Sequence, residues 1–118
     1  MNRLISALLL ALFAVTVLAA QPMRRTPEER TAQLKKELEL NAKQEKQVLK
    51  IFTEADKERE EMFANMQESG DRDQARGKMM KLLEETDKKI EALLTKTQLK
   101  KYDDIKKERR ERMKERRN

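Results

Sequence analysis

The chain has 118 residues, of which 42% are charged and 3% are aromatic, and its formal net charge is +6. It contains no cysteine and no histidine. This excludes disulfide staples, thiolate or imidazole catalysis, and metal sites built on those side chains. A chain of this length forms one domain at most.

The N-terminus has the pattern of a cleavable signal peptide. Met1-Asn2-Arg3 is a short basic start, and an apolar run follows over residues 4–20. Small residues place cleavage before Ala20 or Gln21. The alternative is an uncleaved membrane anchor, but the run is shorter than the roughly 20 apolar residues of a spanning helix. A lipid anchor is not expected at Gln21, because it would need a cysteine there.

The charge is concentrated at the C-terminus. Residues 21–105 hold 19 Lys or Arg and 19 Asp or Glu, whereas residues 106–118 hold eight basic and three acidic residues. We interpret the chain as a signal peptide (1–20), a helical domain (21–105) and a basic helical tail (106–118). Predicted export argues against nucleic acid as a partner. The tail either binds an anionic membrane surface or acidic protein segments, or is a solvated terminal helix.

A short motif, Leu-(Thr or Asn)-x-x-Gln, occurs twice, 54 residues apart. In each copy a Thr or Asn N-cap precedes a Gln by three residues, which is the spacing of a capping box. Each copy therefore predicts a helix start, with its leucine anchoring the preceding turn. The motif residues are Leu40, Asn41, Gln44, Leu94, Thr95 and Gln98.

Apolar periodicity predicts an all-α fold with four helices, two of them long. Thr26 caps the first helix, and Ser69-Gly70-Asp71 breaks the chain between the second and third. The predicted helices span residues 27–39, 42–68, 72 or 74 to 93 (with Asp71 or Asp73 as the cap) and 96 onward. Only about twenty large apolar side chains follow the signal peptide, which is few for one stable copy. We therefore expect a homodimer.

No catalytic constellation is present, and we predict that the protein is not an enzyme. Ser69 is the only serine after the signal peptide, and no histidine can act as its base. Neighbouring carboxylates such as Glu60 and Glu61 point to different helix faces among basic residues at helical spacing. We expect no cofactor and no metal site.

With no catalytic or metal site expected, the remaining functional candidate is a binding surface around the central turn at Ser69-Gly70-Asp71. Methionine is flexible and polarizable, so it suits surfaces that accommodate many partners. The alternative is that Met62, Met66 and Met79 form the core of a helical hairpin. Arg59 interrupts an apolar stripe, where it could snorkel, pair across a dimer or offer charge to a client. The client-binding candidates are Arg59, Met62, Phe63, Met66 and Met80.

The two motif copies, the export signal and the strand-free pattern resemble the Spy/CpxP (LTxxQ-motif) family of periplasmic proteins. The resemblance implies a bent helical hairpin that forms a cradle-shaped antiparallel homodimer in the periplasm. It also implies an ATP-independent chaperone that binds unfolded or folding envelope proteins and suppresses their aggregation. Related members regulate an envelope-stress sensor kinase, which is the alternative function, and others bind metals through histidine, which this chain lacks.

Overall fold

The computed structural model describes residues 25–118, which form four α-helices and no strand. The helices are α1 (Pro27–Leu38), α2 (Ala42–Ser69), α3 (Arg72–Glu91) and α4 (Lys96–Arg117). The all-α, four-helix prediction is confirmed. Three helices rather than two are long, because α4 continues through the basic segment to Arg117 and reaches 22 residues. The predicted signal peptide lies outside the described residues.

Side-chain caps fix where the helices begin. At α2, Asn41 Oδ1 accepts a hydrogen bond from the Gln44 backbone N–H at 2.8 Å. Thr95 Oγ1 accepts the corresponding bond from Gln98 at the start of α4. Thr26 and Glu29 form the same reciprocal box at α1, and Asp71 caps α3 through the backbone N–H of Gln74. Both capping boxes that the motif spacing predicts are therefore formed, and Thr26 caps α1 as predicted.

Residues in the left-handed conformation end each of the first two helices. Glu39 has φ 56° and ends α1, with its N–H donating to the Lys35 carbonyl. Gly70 has φ 71° and ends α2, with its N–H donating to the Met66 carbonyl at 2.8 Å. The Gly70 turn reverses the chain, so α2 and α3 form an antiparallel hairpin.

The apolar core fills only the end of the molecule where the α1–α2 and α3–α4 turns meet. On α2 the buried residues stop at Ala55, and on α3 they begin at Leu82. Within the described chain, no side chain of residues 56–81 is buried. The hairpin therefore projects beyond a four-helix base. The core residues are Leu34, Leu38, Leu40, Val48, Phe52, Ile90 and Tyr102.

Ion pairs and hydrogen bonds fasten α4 to α3. Lys106 pairs with Glu91, and Arg109 pairs with Asp87. The partners on α3 come earlier in the chain as those on α4 come later, so the two helices run antiparallel. None of the helices within residues 25–118 is long and apolar enough to cross a membrane.

Candidate binding surface

The two capping-box glutamines meet inside the base. Gln44 Nε2 donates to Gln98 Oε1 at 2.8 Å, and Gln98 Nε2 donates back to Gln44 Oε1 at 3.2 Å. Both side chains are buried. The motif copies are thus packed against each other, although they lie 54 residues apart in the chain.

Each glutamine also holds the turn in front of the other helix. Gln44 Nε2 donates to the Leu93 carbonyl at 2.9 Å, and Gln98 Nε2 donates to the Leu38 carbonyl at 3.2 Å. Their Oε1 atoms accept the N–H groups of their own N-caps, Asn41 and Thr95, at 3.0 Å. Both donors and the acceptor oxygen of each buried amide are therefore satisfied. The two glutamines organise the base and are not open to a ligand.

An arginine ends or interrupts the apolar stripe on each of three helices. On α1 the stripe of Leu38 and Leu34 leads to Arg30, and on α2 Ala55 leads to Arg59. On α4 the next stripe position after Ile105 is Arg109. Because residues three or four apart share one helix face, each of these guanidinium groups points the same way as the core. The three arginines consequently converge at the edge of the core.

Arg30 and Arg59 share one carboxylate. Asp56 Oδ1 lies 3.7 Å from Arg30 Nη1 and 3.6 Å from Arg59 Nη1, which is too far for a hydrogen bond in either case. The Arg30 guanidinium also stacks on the Phe52 ring, with Cζ 4.1 Å from the centroid. Burial, followed by repulsion from Arg59, lowers the pKa of Arg30. Positive charge is therefore under-compensated here.

Asp87 joins α3 to α4. Its Oδ1 accepts the Tyr102 hydroxyl at 2.7 Å, and its Oδ2 lies 2.6 Å from Arg109 Nη2. Burial, together with the hydrogen bond to Asp87, raises the pKa of Tyr102. The hydrogen bond to Glu91 raises the pKa of Lys106 one turn further along α4.

These groups border a cavity of about 440 Å³ that we call the arginine groove. Its apolar lining includes Leu34, Phe52, Leu83, Ile105 and Met113. Five arginines and only two carboxylates line it: Arg25, Arg30, Arg59, Arg109, Arg112, Glu37 and Asp87. The groove combines an apolar floor with an excess of positive charge.

A second cavity, of about 420 Å³, lies between α2 and α3 near the end of the hairpin, and we call it the tip cavity. Among its apolar residues, Met62, Phe63, Met66 and Met79 are half-buried. Two exposed arginines border it. Its lining residues are Met62, Phe63, Met66, Arg72, Ala75, Arg76 and Met79.

The structure separates the predicted client-binding residues into two groups. Met62, Phe63 and Met66 lie together in the tip cavity. Met62, Met66 and Met79, which the alternative places in the core of a helical hairpin, are half-buried around an open cavity and are not among the core residues of the described chain. Arg59 lines the arginine groove instead, and Met80, 44% exposed, lies beside that groove. The Arg59 side chain is partly exposed and lies at the edge of the core. It forms an ion pair with Asp56 of its own helix.

Sequence reasoning missed Arg30, Arg109 and Met113. The sequence contains a signal that could have identified them, because each of the three occupies a position at which an apolar helix stripe would continue. The same irregularity drew attention to Arg59. Only the packing of α1, α2 and α4 around one edge reveals that the three arginines belong together.

A family described as Domain of unknown function (DUF4890) matches residues 18–102. The chain belongs to the DUF4890 family. The match includes α1, α2, α3 and both glutamine motifs, and it ends at Tyr102, before Arg109 and Met113. No curated protein and no solved structure matches the chain.

This DUF4890 member shows no acidic metal cluster in the part of the chain that the structure describes. No group of three or more His, Cys, Asp or Glu side chains is placed to hold a metal ion there. Within residues 25–118, the arginine groove and the tip cavity each combine apolar side chains with arginines.

Proposed function

We propose that this protein is an ATP-independent chaperone of the Spy/CpxP type that binds unfolded or folding proteins in the periplasm. The observation that supports this most is the tip cavity. Three methionines and a phenylalanine surround about 420 Å³ of open space on a segment of the hairpin that holds no buried residue. Arg72 and Arg76 stand beside it.

This arrangement suits weak, adaptable contact. Methionine side chains have three rotatable bonds and polarizable sulfur, so they can repack around apolar residues of different shapes. Each such residue that a client transfers from water contributes roughly 1.5–3 kcal/mol at full burial, and less in an open cavity. The exposed arginines attract acidic client segments over a Debye length of about 8–10 Å. A client held in this way can still fold.

We further propose that two copies form the cradle-shaped antiparallel homodimer that the resemblance implies. The projecting hairpin supports this proposal. Its half-buried apolar residues, among them Met62 and Met79, have no covering layer in the described part of one copy. Size-exclusion chromatography with light scattering over a range of concentrations tests it, and a monomer at every concentration would contradict it.

Suppression of client aggregation tests the chaperone proposal. Without ATP, near-stoichiometric protein should slow the light scattering of several unrelated, chemically denatured clients. Phe63→Ser and Met66→Ser should each weaken protection while lowering the melting temperature little, because both side chains are half-buried in an open cavity. Ala64→Ser, on the same helix but exposed and outside the cavity, is the matched control.

Two results would contradict the proposal. Failure of the unaltered protein to protect any of the clients would remove its basis. Equal protection by Phe63→Ser and Ala64→Ser would separate the activity from the tip cavity. Specific capture of one envelope-stress sensor domain without general protection would favour the accessory-regulator alternative.

A further inference from the structure

The arginine groove holds more positive charge than its own acids compensate. Within residues 25–118, Arg59 Nε and Arg109 Nε are buried without a hydrogen-bond partner. Arg30 Nη1 and Asp56 Oδ1 are also buried without a hydrogen bond, and they face each other as an ion pair at 3.7 Å. Arg25 and Arg112 add two further guanidinium groups at the rim. Partly buried guanidinium groups favour oxyanions, which accept two parallel N–H bonds from one planar fork. The excess positive charge of the groove therefore favours a negatively charged ligand.

A path of apolar side chains continues from the groove along α3 and α4, and in one of the two adjoining cavities charged side chains surround it. Leu83 and Met113 line the arginine groove and also two adjoining cavities of about 160 and 290 Å³. Met80 lines both adjoining cavities. Met80 and Met113 are 44% and 39% exposed, and they are the two large apolar side chains left exposed in the described chain. A ligand with a long apolar part could cover all three side chains.

The polar groups of the groove fit an acyl chain better than a polypeptide. Arginine side chains donate hydrogen bonds and accept none, and the helix backbones use their own carbonyls internally. A peptide laid in the groove would bury N–H groups opposite few acceptors, and each unpaired N–H group would disfavour its binding. An aliphatic tail carries no such groups. The volume of about 440 Å³ is also that of a typical small-molecule site.

We propose that the arginine groove binds a small anionic amphiphile, with its oxyanion head at Arg30 and Arg59 and its unbranched apolar tail over Leu83, Met113 and Met80. Medium-chain fatty acids belong to this class. The site lies where the base meets the projecting hairpin, and one adjoining cavity shares Met79 with the tip cavity. The proposal does not depend on the proposed chaperone function.

The single tyrosine provides a direct readout. The chain contains one tyrosine and no tryptophan, and Tyr102 lines the groove. Its fluorescence should change in a saturable way, with one site per chain, when dodecanoate is added to the purified protein below its micellar concentration. Dodecanol lacks the charge, acetate lacks the tail and dodecyltrimethylammonium has the opposite charge. Each should bind about tenfold more weakly or not at all.

Matched arginine variants locate the site. Arg59→Gln and Arg112→Gln should each weaken dodecanoate binding, Arg59→Gln by about tenfold, because one charge-assisted contact is lost. Arg76→Gln removes an arginine from the tip cavity and should leave the affinity unchanged. Met113→Gln should weaken dodecanoate more than hexanoate, whose tail is too short to use the far end of the path. Circular dichroism checks that each variant is folded.

Several outcomes would overturn this proposal. Equal binding of dodecanol and dodecanoate would show that the arginines do not recognise the head group. Loss of binding in Arg76→Gln but not in Arg59→Gln would place the ligand in the tip cavity. A Glu- and Leu-rich peptide that displaces dodecanoate and binds more tightly would assign the groove to acidic polypeptides. Phe63→Ser should leave dodecanoate binding intact, so this test and the aggregation assay can fail independently.

Discussion

Gln44 and Gln98 exchange two hydrogen bonds through their side-chain amides, at 2.8 and 3.2 Å, inside the base of the molecule. Each of them caps its own helix and also reaches the turn that precedes the other helix, at Leu93 and Leu38 respectively. Four helix ends therefore depend on two side chains. Repetition of the motif in the sequence corresponds to a local pseudo-symmetry in space, with each half completing the other.

The glutamine pair should behave as one energetic unit. Gln44→Met or Gln98→Met keeps the side-chain length but leaves the partner amide and a turn carbonyl unpaired, so each should cost about 1–3 kcal/mol of unfolding free energy. The double variant should cost less than the sum of the two, with a coupling of about 1 kcal/mol or more. Urea unfolding of all four proteins measures this, with exposed Gln67→Met as the control. Strict additivity would show that the pair contributes no direct interaction.

Part of the base could be predicted from the sequence, because helix capping and helical periodicity are local properties of the chain. The side chains of Asn41 and Thr95 bond within their own first turns, so spacing alone located these helix starts. The contact between Gln44 and Gln98 depends on tertiary packing, for which a capping box carries no information. The buried stripe was also predictable up to Ala55, because it follows helical periodicity.

Beyond Ala55 the pattern was misleading for a physical reason. Met62 and Met66 continue the helical period, and period alone does not reveal whether another layer covers a stripe. Here the described chain supplies no third helix over that part of the hairpin. The same limit applies to Arg59. Its unusual position within an apolar stripe was visible in the sequence, but its proximity to Arg30 and Arg109 depends on how three separate helices pack.

Tyr102 should ionise only at unusually high pH. Burial and its hydrogen bond to Asp87 raise the pKa above the ordinary value of about 10. The Tyr102 hydroxyl loses its proton at lower pH in the unfolded chain than in the folded one. The stabilisation that Tyr102 contributes to folding is therefore complete below about pH 10 and is lost as the pH rises towards the pKa of the folded state. Phenolate absorbance follows the transition without overlap, because the chain has one tyrosine.

An Asp87→Asn variant separates the causes of that shift. It removes the carboxylate charge but keeps an acceptor, so the absorbance midpoint should move back towards 10 while helicity is retained. A midpoint near 10 in the unaltered, still helical protein would contradict the burial of the hydroxyl. Circular dichroism at each pH distinguishes titration of the folded chain from alkaline unfolding.

Asp87 should also determine how firmly α4 is held. Asp87→Ala removes the acceptor of Tyr102 and the partner of Arg109 at once. Charge-assisted hydrogen bonds contribute about 1.5–3 kcal/mol each, so amide hydrogen exchange in α4 should quicken by more than tenfold, while that of α2 changes less. Asp104→Ala, at an exposed site on α4, is the control. Unchanged exchange in α4 would show that apolar packing alone holds the helix.

The two glycines should respond to alanine with opposite signs. Gly70 has φ 71°, a conformation that costs an L-residue roughly 1–2 kcal/mol, so Gly70→Ala should destabilise the hairpin. Gly77 lies within α3, and an added Cβ there would meet no atom within 4 Å. Gly77→Ala should therefore stabilise the protein by up to about 1 kcal/mol through helix propensity. Thermal unfolding followed by circular dichroism compares the two variants directly, and the same methyl group is added in both. A destabilising Gly77→Ala would mean that another surface, such as a second copy of the chain, packs against α3 at that position.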